Sequence, residues 1–191
     1  MRGSLFVVSA PSGAGKHAIL EQVLAHDPNL QYAVSATTRQ PREGEVDGED
    51  YHFLEPDEFR RRVEAGEFVE WAEVHGHCYG TLRSELEKRL DAGTDVVMQI
   101  DVQGMESLKE AGLEFVSVFV AAPSFEELER RLRKRGADGP EAIALRMRNA
   151  RHEMERRDEY GHVIVNDVLE EAIADFEEIV RAERRRGGRR E

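Results

Sequence analysis

Residues 10–17, Ala-Pro-Ser-Gly-Ala-Gly-Lys-His, place two glycines and a lysine directly after the apolar run Leu5–Val8. Glycine adopts backbone conformations that turn successive N–H groups inward, and a helix opening at the lysine adds the positive end of its dipole. Such a turn cradles phosphate, with Lys16 reaching the β- and γ-phosphates of a nucleotide as a point charge. Ala10, Pro11, Ser12, Gly13, Ala14, Gly15, Lys16 and His17 are the candidate contacts. A glycine turn that merely joins a strand to a helix is the rival reading, and the order strand, loop, helix argues against it. Two positions depart from the general pattern: Ala10 replaces its first glycine, and His17 stands where a serine or threonine hydroxyl would ligate Mg²⁺. A neutral imidazole is a poor ligand for that hard cation. Three readings follow. Mg²⁺ is held by phosphates and water, with His17 on a phosphate or a metal-bound water; a softer metal is used; or binding persists while the chemistry is weakened. The first is preferred, because Mg²⁺ keeps several waters and takes few protein ligands.

Arg39 and Arg42 lie three apart beside a turn rich in Gly and Pro and can offer two fork-shaped cationic donors to one phosphate. Tyr51 and Tyr79 can add neutral hydroxyls; a solvated basic turn is the alternative. Gln99 and Asp101, in M-Q-I-D-V-Q-G, end an apolar strand, where open parallel sheets bind ligands. Arg131 and Arg135 are four apart, hence on one helical face, and Arg146 begins a second such face with Arg148 and Arg151. Exposed ion pairs with Glu126, Glu127 and Glu129 are the competing use of these arginines, expected for Arg130 and Arg133.

The elements that must carry these residues alternate. Leu5–Ser9, Asp95–Ile100, 114–121 and His162–Val165 are predicted buried strands, separated by helices over 17–25, 82–92, Phe125–Lys134 and 169–184. That alternation implies an α/β fold, a parallel sheet covered by helices on both faces. Residues 34–81 differ, with short strand-like pieces at 32–36, 51–53 and 68–71, a helix near 57–65 and the turn R-E-G-E-V-D-G-E-D. The expected organisation is a core of 1–33, 82–129 and 158–191, a small mixed α/β insertion at 34–81 and a mobile helical lid at 130–157. The tail R-R-R-G-G-R-R-E reads as a frayed, solvated end, with polyanion binding the lesser alternative.

At 191 residues the chain can bury one sizeable core. Its 27 basic against 39 acidic residues give a net charge of −12, which disfavours a general nucleic-acid surface. A phosphorylated substrate must be drawn in by a local arginine cluster. The single Cys78 fits a reducing cytoplasm, and no apolar run approaches a membrane span. A short basic-apolar start resembles a signal peptide only until it runs into the glycine loop. Nothing in the sequence separates a monomer from a homodimer.

The stretch S-A-T-T-R-Q-P-R-E-G-E-V-D-G-E-D-Y-H-F at 35–53, with A-P-S-G-A-G-K, F-V-E-W-A, C-Y-G-T, I-D-V-Q-G and I-V-N-D, resembles guanylate kinases over nearly the full chain. The resemblance implies a P-loop nucleoside monophosphate kinase fold and transfer of the γ-phosphoryl of ATP to GMP, with Mg²⁺ as cofactor. It implies that Arg39, Arg42, Tyr51 and Tyr79 clamp the GMP phosphate. Glu70 would accept the guanine N1–H and 2-amino group together, a pair adenine lacks, with Ser35 and Thr81 on other edges of the base. Without the resemblance, a lone strand glutamate reads as a solvated face. Asp101 falls near the GMP ribose and the outer metal shell. Gln99 replaces an acid that the family uses to organise Mg²⁺ through water. Arg131, Arg135 and Arg146 would close over the ATP phosphates, and Asn166 and Asp167 would line the adenine side. Two further readings share these motifs: a relative that binds nucleotide without turnover, motivated by His17 and Gln99, and a phosphopeptide-binding module, against which Lys16, Arg131 and Arg135 argue.

Overall fold

The structure, a computed structural model, describes residues 2–74, 76–101, 104–134 and 139–188. Its main layer is a five-stranded, all-parallel sheet of β1 (Leu5–Ser9), β2 (Leu30–Tyr32), β7 (Asp95–Gln99), β8 (Val116–Ala121) and β9 (His162–Val165), in the order β2-β7-β1-β8-β9. β1 is apolar at four of its five positions and wholly buried, as a central parallel strand covered on both faces must be. One face packs against α1 (Lys16–His26) and α7 (Leu169–Gly187) through Phe6, Ile19, Leu20, Phe176 and Val180. The other buries Leu5, Val7, Val96 and Met98 beneath α3 (Arg83–Asp91) and α4 (Gly104–Glu110) through Leu86, Leu90, Met105 and Leu108.

Between β2 and α3 lies a second sheet, ordered β4-β3-β6-β5, built from β3 (Ala36–Thr37), β4 (His52–Phe53), β5 (Phe68–Val74) and β6 (His77–Leu82). It mixes one parallel pair, β3 with β4, with antiparallel pairs. α2 (Pro56–Glu64) covers it, with Phe59 stacked on Phe68 at 4.4 Å. α5 (Phe125–Lys134) and α6 (Pro140–Glu155) lie between β8 and β9 in the chain.

Three sequence expectations need correction. The predicted strand at 32–36 is two strands: β2 extends the main sheet, while β3 belongs to the small one. Gly80 made β6 illegible as a strand, because glycine weakens the pattern; here it is required, since a Cβ would lie 2.7 Å from the Glu70 carbonyl oxygen on β5. The tail is not frayed from Arg184 onward. α7 runs on to Gly187, and Arg184 bridges Asp27 (2.8 Å) and Asp95 (2.7 Å), pinning the helix to the sheet.

Candidate active site

The site forms at the carboxyl ends of β1 and β7, where strand order reverses about β1 and parallel sheets leave a crevice. β1 ends at Ser9 and α1 begins at Lys16, so residues 10–15 form the connecting loop. Gly13 and Gly15 both take positive φ, 96° and 92°. At Gly15 the freedom is essential, because a Cβ would come 2.2 Å from the Asn166 amide nitrogen. That amide donates a 2.8 Å hydrogen bond to the Ala14 carbonyl, and Asn166 is 5% exposed. The loop is thus braced by the residue that follows β9.

Lys16 projects from the first residue of α1. Burial lowers its ammonium pKa, while the carboxylates of Glu153 and Asp101 work in the opposite direction. Asp101 also accepts a 2.8 Å hydrogen bond from the Gly104 N–H at the start of α4, which fixes its carboxylate beside the crevice. From the lid segment, Arg146 donates to the Ser12 hydroxyl at 2.9 Å, so α6 touches the phosphate loop. Arg131 donates to the Asn166 carbonyl (3.0 Å) and to Glu127 (2.7 Å). Arg130 and Arg133 form the expected ion pairs with Glu127 and Glu129. Arg135 lies outside the described residues. Asp167, one residue past Asn166, is exposed.

His17 follows Lys16 in the first turn of α1. It is 70% exposed and its Nε2 lies 3.1 Å from Glu21 Oε1, one turn along α1. Gln99 lines a cavity of about 370 Å³ together with Ser35, Tyr51, Glu70, Thr81 and Tyr32. The Tyr32 hydroxyl is buried beside it; burial and the Glu21 carboxylate raise its pKa, and the Gln99 side chain works in the opposite direction.

The cavity is set by the β5–β6 hairpin. Glu70 pairs in register with Thr81, after an irregularity between Phe68 and Glu70. Thr81, 2% exposed, donates to Glu70 Oε1 at 2.8 Å. Burial raises the Glu70 pKa above the usual carboxylate range, the Thr81 hydrogen bonds oppose this, and Asp101 adds repulsion. A desolvated carboxylate held by Thr81, with room beside it, is suited to two parallel N–H donors.

At the cavity's mouth Tyr51 and Tyr79 meet edge to face, ring centroids 6.2 Å apart. The Arg39 guanidinium lies 5.4 Å above the Tyr51 ring and donates to Glu45 (2.8 Å) and to the Gln40 carbonyl (2.8 Å). Glu45 also accepts the Arg42 backbone N–H at 2.7 Å, and the Arg42 residue is exposed. Residue-type reasoning overlooked two participants. Glu45 lies within the recognised stretch but offered no sign of its partner, and Glu153 sits among ordinary helix-surface charges. A larger cavity, about 800 Å³, opens where β1 and β8 begin, but its arginines Arg2, Arg83 and Arg186 are engaged with Asp91, Glu87 and Glu183.

A glycine-lysine loop at the centre of a parallel sheet, facing a separate arginine–tyrosine mouth, defines a P-loop kinase of the nucleoside monophosphate class. The guanylate kinase family model matches residues 2–183. The chain is 47% identical over 184 residues to a guanylate kinase of Thermotoga maritima, covering 96% of this chain and 89% of that protein. It is 50% identical to one from Sphingopyxis alaskensis, covering 96% and 84%. The crystal structure of guanylate kinase from Anaplasma phagocytophilum is similar at a TM-score of 0.67 and 36% identity, over 95% of this chain and 86% of that one. This chain belongs to the guanylate kinase family.

Proposed function

We propose that the two halves of this site hold ATP and GMP with their phosphates end to end, Lys16 on the donor and Arg39 on the acceptor. The reaction is that of the family, reversible transfer of the γ-phosphoryl of ATP to GMP, giving ADP and GDP. One observation supports the assignment of residues: Val8 of β1, which leads into the loop of Lys16, pairs with Gln99 of β7, which lines the cavity of Glu70, so the two half-sites open at one edge of the sheet.

Glu70 reads guanine by accepting N1–H and the 2-amino group, with Ser35 and Thr81 completing the edge. Adenine would leave the desolvated carboxylate without this pair of donors, a strong penalty. Arg39, Arg42, Tyr51 and Tyr79 hold the acceptor phosphate in line, and Arg146, Arg131 and Arg135 join Lys16 in neutralising the transferred group. The acceptor phosphate is already ionised near neutral pH and needs no general base. Asn166 serves by bracing the loop, with Asp167 beside it on the adenine side.

Among the described residues no cluster of three or more His, Cys, Asp or Glu side chains could cage a metal. With His17 turned to Glu21, the donor set suits an Mg²⁺ ion carried by nucleotide phosphates and water, Asp101 reaching it only through the outer shell. Mg²⁺ would supply charge neutralisation on the β- and γ-phosphates. Among the described residues no helix is long and apolar enough to cross a membrane. A cytoplasmic location is proposed on the single cysteine, Cys78, which is free.

Coupled measurement of ADP formation, with and without GMP, tests the reading, together with Mg²⁺ and Mn²⁺ titrations of the wild type and His17→Ser. GMP-dependent turnover with Mg²⁺ is expected, with His17→Ser within about threefold of wild type because the imidazole is exposed and engaged elsewhere. A gain of tenfold or more would show that the missing hydroxyl limits catalysis. Nucleotide binding without turnover would overturn the enzymatic reading.

A further inference from the structure

We propose that Glu127 is a positioning residue for the donor nucleotide: it fixes the Arg131 guanidinium and, through Arg131 and Asn166, the phosphate loop. The inference rests on the reading of Arg131 as a contact of the ATP phosphates.

The geometry starts where α5 lies on the loop. A Cβ at Gly13 would come 3.1 Å from Leu132 and 3.2 Å from Leu128, both buried side chains of that helix. Glycine, which also takes a positive φ there, lets the helix approach so closely. Glu127 and Arg131 precede those leucines by one residue each and form the adjacent row of α5, four apart and within reach of each other. Glu127 Oε1 accepts the Arg131 Nε–H at 2.7 Å. Arg131 Nη2 donates to the Asn166 carbonyl at 3.0 Å, and the Asn166 amide donates to the Ala14 carbonyl at 2.8 Å. The Asn166 N–H is itself fixed on the Ala121 carbonyl, at the end of β8, at 2.8 Å. Three hydrogen bonds thus run in series from a carboxylate on α5 to the backbone of the loop.

A guanidinium carries five N–H donors in a rigid fork. Here Nε and Nη2 bond the protein, which fixes the plane of the group and leaves Nη1 for a phosphate. Arg130 joins the same carboxylate by a two-bond fork, both at 2.7 Å, but it is exposed. Together the Arg130 and Arg131 hydrogen bonds lower the Glu127 pKa to about 2, so the anchor keeps its charge throughout the neutral range. The ordinary alternative is that Glu127 is half of a helix-surface ion pair, a contact of small effect.

Steady-state kinetics with ATP varied at saturating GMP, and the reverse, separate the two. Glu127→Ala should lower kcat/KM for ATP about tenfold and leave KM for GMP within about twofold. Glu127→Gln keeps an acceptor oxygen at the same reach and should recover most of the loss. Arg130→Ala, which removes the exposed pair, should stay within about twofold of wild type. Glu127→Ala combined with Arg131→Ala should be no worse than Arg131→Ala alone, because the glutamate acts through the arginine. ATP kinetics within about twofold of wild type in Glu127→Ala, an equal loss for GMP, or additive losses in the double variant would overturn the proposal. Should the alanine variant fail to fold, Glu127→Asp, one methylene shorter, decides: a loss of about threefold or more confined to ATP supports it, and wild-type kinetics refute it. Arg131→Ala distinguishes the layers. Wild-type ATP kinetics in that variant would sink the reading of Arg131 itself, whereas an impaired Arg131→Ala beside an unaffected Glu127→Ala would sink only the role of Glu127.

Discussion

The phosphate loop and the arginine mouth are both proposed to bind anions, yet they are held in opposite ways. The loop is fixed by neutral, buried contacts: the Asn166 amide on the Ala14 carbonyl, a Gly15 with no room for a side chain, and Ala14 sealed in the core. These contacts are internal to the fold, so the cradle is expected to keep its shape without ligand. The mouth is fixed by charge. Arg39 is held by Glu45 and the Gln40 carbonyl on a turn whose glycines, 44 and 48, take positive φ. A bond between a guanidinium and a partly exposed carboxylate is one that a phosphate can replace, because both are forks of oxygen acceptors. On this account the cradle is permanent and the mouth is exchanged: Glu45 holds the donors that GMP later takes.

The sharpest way to break that contrast is at Arg39. Arg39→Ala should lower kcat/KM for GMP on the order of 10²–10³-fold while leaving ATP affinity within about twofold. A loss below threefold, or an equal loss for ATP, would contradict an acceptor-specific mouth. Next comes the brace. Asn166→Ala orphans the buried Ala14 carbonyl and should destabilise the fold by about 1–3 kcal/mol in denaturant unfolding, with ATP binding weakened alongside. Unchanged stability would mean that the loop holds its shape alone. The smallest expected effect concerns pH. Because the folded Glu70 pKa is raised, its ionised form is lost on acidification sooner than an ordinary carboxylate's, and protonated Glu70 cannot accept both guanine donors. The acid limb of kcat/KM for GMP should therefore lie above the usual carboxylate range and disappear in Glu70→Gln. A limb at or below that range would remove Glu70 from base recognition.

The same contrast explains what the sequence disclosed. The phosphate loop was legible because its parts are contiguous: an apolar strand, two glycines and a lysine that opens a helix. The α/β alternation was legible for the same reason, and Phe125–Lys134 and His162–Val165 needed no adjustment. Partners distant in the chain were hidden. Nothing local says that Asn166 braces Ala14 across 152 residues, or that Arg184 meets Asp95. β6 escaped notice because Gly80 interrupts its alternation, although strand pairing demands that glycine. Glu127 read as half of an exposed ion pair, and its reach to the loop through Arg131 and Asn166 was hidden in the same way. The pairing of His17 with Glu21 follows from helical spacing that could have been noticed.

The most direct test is a crystal structure of the wild-type protein with GMP and a non-hydrolysable ATP analogue bound together. The account predicts guanine on Glu70, the GMP phosphate among Arg39, Arg42, Tyr51 and Tyr79 in place of Glu45, and the γ-phosphate of the analogue on Lys16, the two phosphates facing each other. A GMP bound outside that mouth, or Arg39 still paired with Glu45 while GMP is present, would contradict it.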